Sequence, residues 1–168
     1  MDVATLLSFV KMTAQEQNPS ATIRATEASL AATLHLDGEP AGAPAPTTAP
    51  RRFAWAMVIE SPAGSLAGHA IYYYDYSTWR AEGGVFLEDL FVLPQFRRAG
   101  YGRRLIEALA AEARRAGCTK LEWHCYRDND RALRFYGGLG AERRDNWVVL
   151  QVLDDGVGRL TGDAASGT

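Results

Sequence analysis

Two short stretches of this sequence carry residue types and spacings that can do chemistry. The first is Arg97-Arg98-Ala99-Gly100-Tyr101-Gly102, lying between an apolar strand pattern and an amphipathic helix pattern. Glycines let the backbone bend tightly and approach a ligand closely. The free N–H groups at a helix start, together with the helix dipole, attract an anion. Arg97-Arg98 and Arg103-Arg104 flank the turn with charge, and guanidinium suits bidentate phosphate contacts. The stretch therefore reads as a phosphate or pyrophosphate cradle. It lacks the Gly-Lys-Ser/Thr ending of a P-loop and the three spaced glycines of a dinucleotide fingerprint. The plain alternative is a strand–helix turn with surface arginines. The second stretch is Glu88-Asp89, two adjacent acids in the apolar run Val85 to Val92. Strand alternation sends neighbours to opposite faces, so one acid points inward or into a cleft. A buried carboxylate is costly without a partner. Holding a substrate ammonium, or accepting its proton through water, would supply one. An edge strand whose acids face water is the alternative.

The elements that must position these residues follow from pattern and punctuation. Leu6, Leu7 and Val10 mark a helix from Asp2 to about Gln15, and a second covers Glu27 to Leu34. Gly38 to Pro50 holds four of the seven prolines and reads as a mobile surface loop within one domain. Phe53–Glu60 and Leu66–Tyr74 form a hairpin around Ser61-Pro62-Ala63-Gly64, and Val85–Val92 is a third strand that Pro94 ends. A helix from Gly102 to Ala116 buries Leu105, Leu109 and Ala113 and stops at Gly117. Lys120–Tyr126 is a strand, Asn129 to about Tyr136 a short helix, and Trp147–Val152 a last strand. The tail from Asp154 to Thr168 is expected to fray. The order α-α-β-β-β-α-β-α-β describes a mixed α/β domain over residues 1–153.

Composition excludes several function classes. The 168 residues are 47% apolar and 23% charged, which is globular composition with enough chain to bury a core. No run of about 18 apolar residues offers a membrane span, and the first residues do not resemble a secretory signal. Cys118 and Cys125 form neither a disulfide framework nor a metal cluster, so a reducing, cytoplasmic setting is expected. His35, His69 and His124 share no metal-ligand spacing, and core or surface roles are expected for the two in strands. Net charge −2 argues against general nucleic-acid binding. Of 18 basic residues 16 are Arg, eleven of them between Arg97 and Arg144. Either genomic base composition or a local anion partner accounts for that density.

Arg97-x-x-Gly100-x-Gly102, after a strand and opening a helix, resembles the acetyl-CoA signature of the GCN5-related N-acetyltransferases. The element order from Phe53 onward agrees with that fold, a mixed, mostly antiparallel central sheet flanked by helices. The resemblance is closest to the diamine (spermidine/spermine) and thialysine acetyltransferase subgroup. It is carried by Tyr72-Tyr73-Tyr74 with Ser77-Thr78-Trp79, by Phe86-Leu87-Glu88-Asp89-Leu90-Phe91-Val92, and by Arg97 to Gly102. Asn129 with Arg134-Phe135-Tyr136, Leu139-Gly140-Ala141 and Trp147 extend it. One departure is visible: the chain opens almost directly with a helix, so the strand such folds place first is short or absent.

The resemblance implies an acetyl-CoA-dependent N-acetyltransferase acting on a small cationic amine such as a polyamine, a diamine or a lysine analogue. It implies that pyrophosphate rests on main-chain N–H groups of Arg98, Gly100, Tyr101, Gly102 and Arg103, with Arg97 or Arg103 reaching phosphate oxygens. A strand N–H near Leu90 to Val92 would polarise the thioester carbonyl. Tyr136 would be the general acid, since a phenol of pKa about 10 is protonated at neutral pH; a core tyrosine beside Phe135 is the alternative. Asn129 would contact the coenzyme, cap its helix, or both. Glu88 would be the substrate carboxylate and a candidate base, with Asp89 beside it. Trp79, Asp145 and Trp147 match positions lining the amine site, where an aromatic face and a carboxylate suit a cationic chain. Trp147 in the core and Trp79 in a plain loop are the alternatives. A homodimer is implied, without nucleic acid or membrane. Another amine acceptor (aminoglycoside, amino acid or protein) and a weakly catalytic acyl-CoA-binding module remain open.

Overall fold

A computed structural model describes residues 2–36 and 52–162. The expected loop Gly38 to Pro50 and residues 163–168 lie outside the described residues. By packing, the chain divides into two units, Met1–Leu133 and Arg134–Thr168.

Helix α1, Val3–Gln17, starts where the Asp2 carboxylate accepts the N–H groups of Ala4 and Thr5. It buries Leu6, Leu7 and Phe9. Helix α2, Glu27–Thr33, opens with a reciprocal capping box between Thr26 and Ser29. A two-residue strand follows, β1, Leu34–His35. The described chain thus begins its sheet with a very short strand, and that strand lies after α2. Strands β2 (Ala54–Glu60), β3 (Leu66–Ser77) and β4 (Glu82–Val92) form an antiparallel meander. Strand β5, Leu121–Trp123, lies parallel to β4, and β1 lies parallel to β2. The sheet order is β1-β2-β3-β4-β5.

Residue parity along β3 sorts the two faces of the sheet. Ile71 joins Leu6 and Leu34 in the core beneath α1, and His69 stacks on Phe9 of the same helix. Tyr74, on the opposite face, donates its hydroxyl to Glu112 of α3, Tyr101–Arg115. Helix α3 buries Tyr101, Leu105, Ile106, Leu109 and Ala113. It ends where Gly117, at φ 73°, lets Cys118 N–H reach the Ala113 carbonyl and Gly117 N–H reach Arg114.

Helix α4, Asp130–Gly137, follows β5. Two expectations fail beyond it. Trp147–Val152 is not a strand: no neighbouring main chain pairs with it among the described residues, and a strand exists only through such pairing. Trp147 is 63% exposed, so it is not a core residue. The described part of the tail is not frayed but holds helix α5, Asp155–Thr161. Asp155 in its first turn and Arg159 in its last complement the helix dipole, and Gly162 at φ 79° closes it.

Candidate active site

Strand β4 carries the site, and one extra residue in it sets the geometry. Its pairing with β3 runs Ile71↔Asp89 and then Tyr72↔Leu87, so Glu88 faces no partner. This is a β-bulge, which re-aims side chains and bends the strand. Glu88 is the one exposed residue between Glu82 and Val92. Asp89 turns the other way. Its Oδ2 lies 2.8 Å from Nε2 of His69, and the Asp89 side chain is 15% exposed. Of the two adjacent acids, Asp89 is therefore the inward one.

The bulge also marks where β4 parts from β5. Strand β5 pairs only with Val85, Phe86 and Leu87, short of the expected Lys120–Tyr126, and the pairing stops at the residue before the bulge. Leu93 N–H donates to the Ala67 carbonyl, so the alternation of antiparallel pairs turns the polar main-chain groups of Leu90 and Val92 away from β3. They face the edge that β5 leaves open. Arg97 Nε donates to the Val92 oxygen at 2.7 Å, while Arg97 Nη2 meets Glu16 Oε1 at 2.6 Å. The guanidinium also lies 5.4 Å from the Phe91 ring centre. Arg97 is thus committed to the end of β4 and to α1.

The turn behaves as the glycine pattern predicts. Gly100 sits at φ 85° and Arg98 at φ 62°, the left-handed region that costs a side chain strain. A Cβ on Gly100 would meet nothing within 4 Å, so the glycine serves conformation and the space before it is open. Arg104 N–H makes the first intrahelical bond, to the Gly100 oxygen, which leaves the N–H groups of Tyr101 and Gly102 without helical acceptors. The Tyr101 side chain is buried against Phe96, so only its main chain is offered to a ligand. Arg98, Arg103 and Arg104 stay at the surface, with Arg103 3.8 Å from Glu107. Open edge, left-handed turn and helix start together fit a phosphate-bearing coenzyme with an extended arm.

The remaining residues are placed as follows. Asn129 Oδ1 accepts the Ala132 N–H at 3.1 Å, so it caps α4. Tyr136 lies on α4 with its ring 5.1 Å from that of Phe135. Asp145 pairs with Arg143. Trp79 is 90% exposed in the β3–β4 turn. From the strand rise between Glu82 and Glu88 it stands about 20 Å from the bulge. Glu88, Asp89, Leu90 and Val92 share the half of β4 that leads into the Arg97–Arg103 turn, and Trp79 lies at the far end of the hairpin.

Several neighbours escaped the sequence. Burial, and then the charges of Glu88, Asp75 and Glu122, push the Tyr73 phenol above its ordinary value. Tyr73 stacks on Phe86, which meets His124 edge-on. An aromatic row thus lies beside acidic charge. His69 has no spacing signal toward Asp89, and only the hairpin register, counted with its bulge, pairs them. Among the described residues there is no metal-binding cluster and no helix long and apolar enough to cross a membrane.

Residues 15–141 match the acetyltransferase (GNAT) family. This chain belongs to that family. A thialysine N-epsilon-acetyltransferase of Mus musculus is 31% identical over 106 residues, covering 61% of this chain and 62% of the mouse protein. Its counterpart in Caenorhabditis elegans is 41% identical over 100 residues, covering 58% and 59% of the two chains. An L-ornithine N5-acetyltransferase of Arabidopsis thaliana is 32% identical over 99 residues, covering 59% of this chain and 40% of that one. The chain thus spans at most about three fifths of the length of these curated relatives. An integron cassette protein from the mobile metagenome of V. cholerae shares the fold, with TM-score 0.69, 20% identity, and coverage of 95% and 90%.

Proposed function

We propose that this chain is an acetyl-CoA-dependent N-acetyltransferase that acts on a primary amine of a small cationic acceptor, a diamine, polyamine or lysine analogue. The observation that carries the reading is the bulge at Glu88. It turns one carboxylate outward on the strand that leads into a left-handed turn and a helix start suited to phosphate. Family membership and the thialysine and ornithine acetyltransferases among its relatives support the same chemistry.

Acetyl-CoA brings the activated thioester. The main-chain N–H groups from Arg98 to Arg103 hold its phosphates, with Arg98 and Arg103 adding charge. The N–H of Leu90 or Val92 stabilises negative charge on the thioester oxygen as the amine attacks. Glu88 holds the acceptor ammonium and is placed to take a proton from it through water. Tyr136 donates the proton that the departing thiolate needs. Trp79, Asp145 and Trp147 are proposed acceptor contacts, and Asn129 a coenzyme contact through its helix cap. A cytoplasmic homodimer completes the reading.

Thiol release from acetyl-CoA, followed over a panel of diamines, polyamines, thialysine and aminoglycosides, tests it. Turnover is expected with the diamines or thialysine. Tight acetyl-CoA binding with no thiol release from any amine would instead establish a binding module.

A further inference from the structure

We propose that His69 is a positioning residue: it pins Asp89, and through Asp89 the bulged register that presents Glu88 and the Leu90 N–H. The inference rests on the acetyltransferase reading above and adds a role for a side chain outside the reacting groups. His69 is fully buried, and its ring completes a triangle of rings with Phe9 of α1, stacked at 5.5 Å and 11°, and Phe91 of β4, tilted at 6.4 Å. Its Nε2 reaches Asp89 Oδ2 at 2.8 Å, while Nδ1 finds no partner among the described residues. So the one polar contact of this ring goes to Asp89.

The location gives that contact its effect. His69 pairs in register with Phe91, and Asp89 pairs with Ile71, so the bond crosses the two strands diagonally. The register shift falls immediately beyond Ile71↔Asp89, at Glu88. A one-residue slip of a strand sends every side chain to the other face. Without an anchor, a strand with one residue to spare has two ways to place it. The His69–Asp89 bond favours the arrangement in which Asp89 is in, Glu88 is out, and Leu90 aims its N–H at the open edge. Imidazole suits the task because it offers a hydrogen bond from a flat ring that packs against two phenyl rings.

The test compares wild type, His69→Phe, His69→Gln, Asp89→Asn and the His69→Phe/Asp89→Asn double variant. Thiol release with a diamine or thialysine acceptor gives kcat and KM, and calorimetry gives acetyl-CoA affinity. His69→Phe keeps the stack and loses the bond, so kcat/KM for the acceptor should fall about tenfold or more, as loss of alignment does. Acetyl-CoA affinity should stay within about twofold, since the α3 turn is untouched. His69→Gln, which retains a donor, should recover most of the loss. The double variant should be no worse than the poorer single one, the signature of one shared interaction. Wild-type kinetics in His69→Phe, or fully additive losses in the double variant, would overturn the role and leave the acetyltransferase reading intact. Parallel loss of coenzyme binding and turnover in every variant, His69→Gln included, would also overturn it, as plain loss of folding. If His69→Phe does not fold, Asp89→Asn against His69→Gln makes the same comparison. A wild-type chain inert toward every amine overturns the acetyltransferase reading and this role with it.

Discussion

Arg97 Nε donates to the Val92 main-chain oxygen at 2.7 Å, so the first side chain of the turn before α3 closes the last carbonyl of β4. The same guanidinium meets Glu16 of α1, whose other oxygen lies 3.7 Å from Arg131. Replacing Arg97 by Met leaves a carbonyl and a carboxylate without this partner. A loss of about 1 kcal/mol in stability is expected, mainly from the part-buried Val92 carbonyl, since the exposed Glu16 is readily hydrated. Chemical denaturation measures it, and calorimetry with acetyl-CoA should show weaker binding as the turn loosens. Unchanged values for both would remove Arg97 from the architecture of the site.

Glu88→Gln tests the ammonium site. Charge is lost while shape is kept, so kcat/KM for dicationic acceptors should drop at least about tenfold, the scale of one charged hydrogen bond. Neutral primary amines, assayed in parallel, should lose much less. Equal losses with both kinds of acceptor contradict the role.

Tyr136→Phe removes only a hydroxyl. If it supplies the leaving-group proton, kcat should fall by about 10²–10⁴, the usual range for a general acid, with coenzyme affinity nearly unchanged. Single-turnover thiol release against acetyl-CoA binding separates the two. Wild-type turnover would return Tyr136 to a packing role beside Phe135.

Stability should respond to pH through Tyr74 and Glu112. Burial raises the Glu112 carboxyl, yet its bonds from the Tyr74 hydroxyl and Arg115 outweigh that and hold it below the ordinary 4.5. A group lowered in the folded state contributes stability that is present above its unfolded value and lost as pH falls through the folded one. Tyr74 is raised above 10, first by burial and then by Glu112. Its contribution is present below pH 10 and lost as pH rises through the folded value. Melting temperatures from pH 3 to 11 should therefore fall less steeply on the acid side in Glu112→Gln and on the alkaline side in Tyr74→Phe.

Gly68 tests how closely β3 and β4 approach at the pinned end. A Cβ there would overlap the Phe91 main-chain oxygen and lie 3.2 Å from Val92 Cα. Both are backbone atoms that cannot swing aside. Gly68→Ala should cost about 1–3 kcal/mol as overpacking does, read by denaturant melts.

The elements around the site were legible because each has a local signal. The Gly100 turn, the α3 face of Leu105, Leu109 and Ala113, and the Ser61–Gly64 hairpin turn all follow from spacing and punctuation. The adjacent acids were legible as a pair bound for opposite faces. What escaped depends on partners distant in sequence. The bulge is a property of two strands, and nothing in Leu87 to Leu90 announces it. The tie from Arg97 to α1 escaped because Glu16, 81 residues away, is invisible to a local pattern. Trp147 to Val152 has strand composition, but composition cannot supply the neighbour a strand requires.

The bulge at Glu88 also has a consequence for how such a site can change by mutation. Substitutions alter β4 one side chain at a time. Deleting the single codon for Glu88 would instead remove the bulge and leave Leu87 and Asp89 adjacent in their present pairings with Tyr72 and Ile71. The outward carboxylate and the local twist of the bulge would vanish in one step. The chemistry of this strand is therefore guarded by the number of its residues as much as by their identity, and a one-residue gap here, in any variant, is the change to look for first.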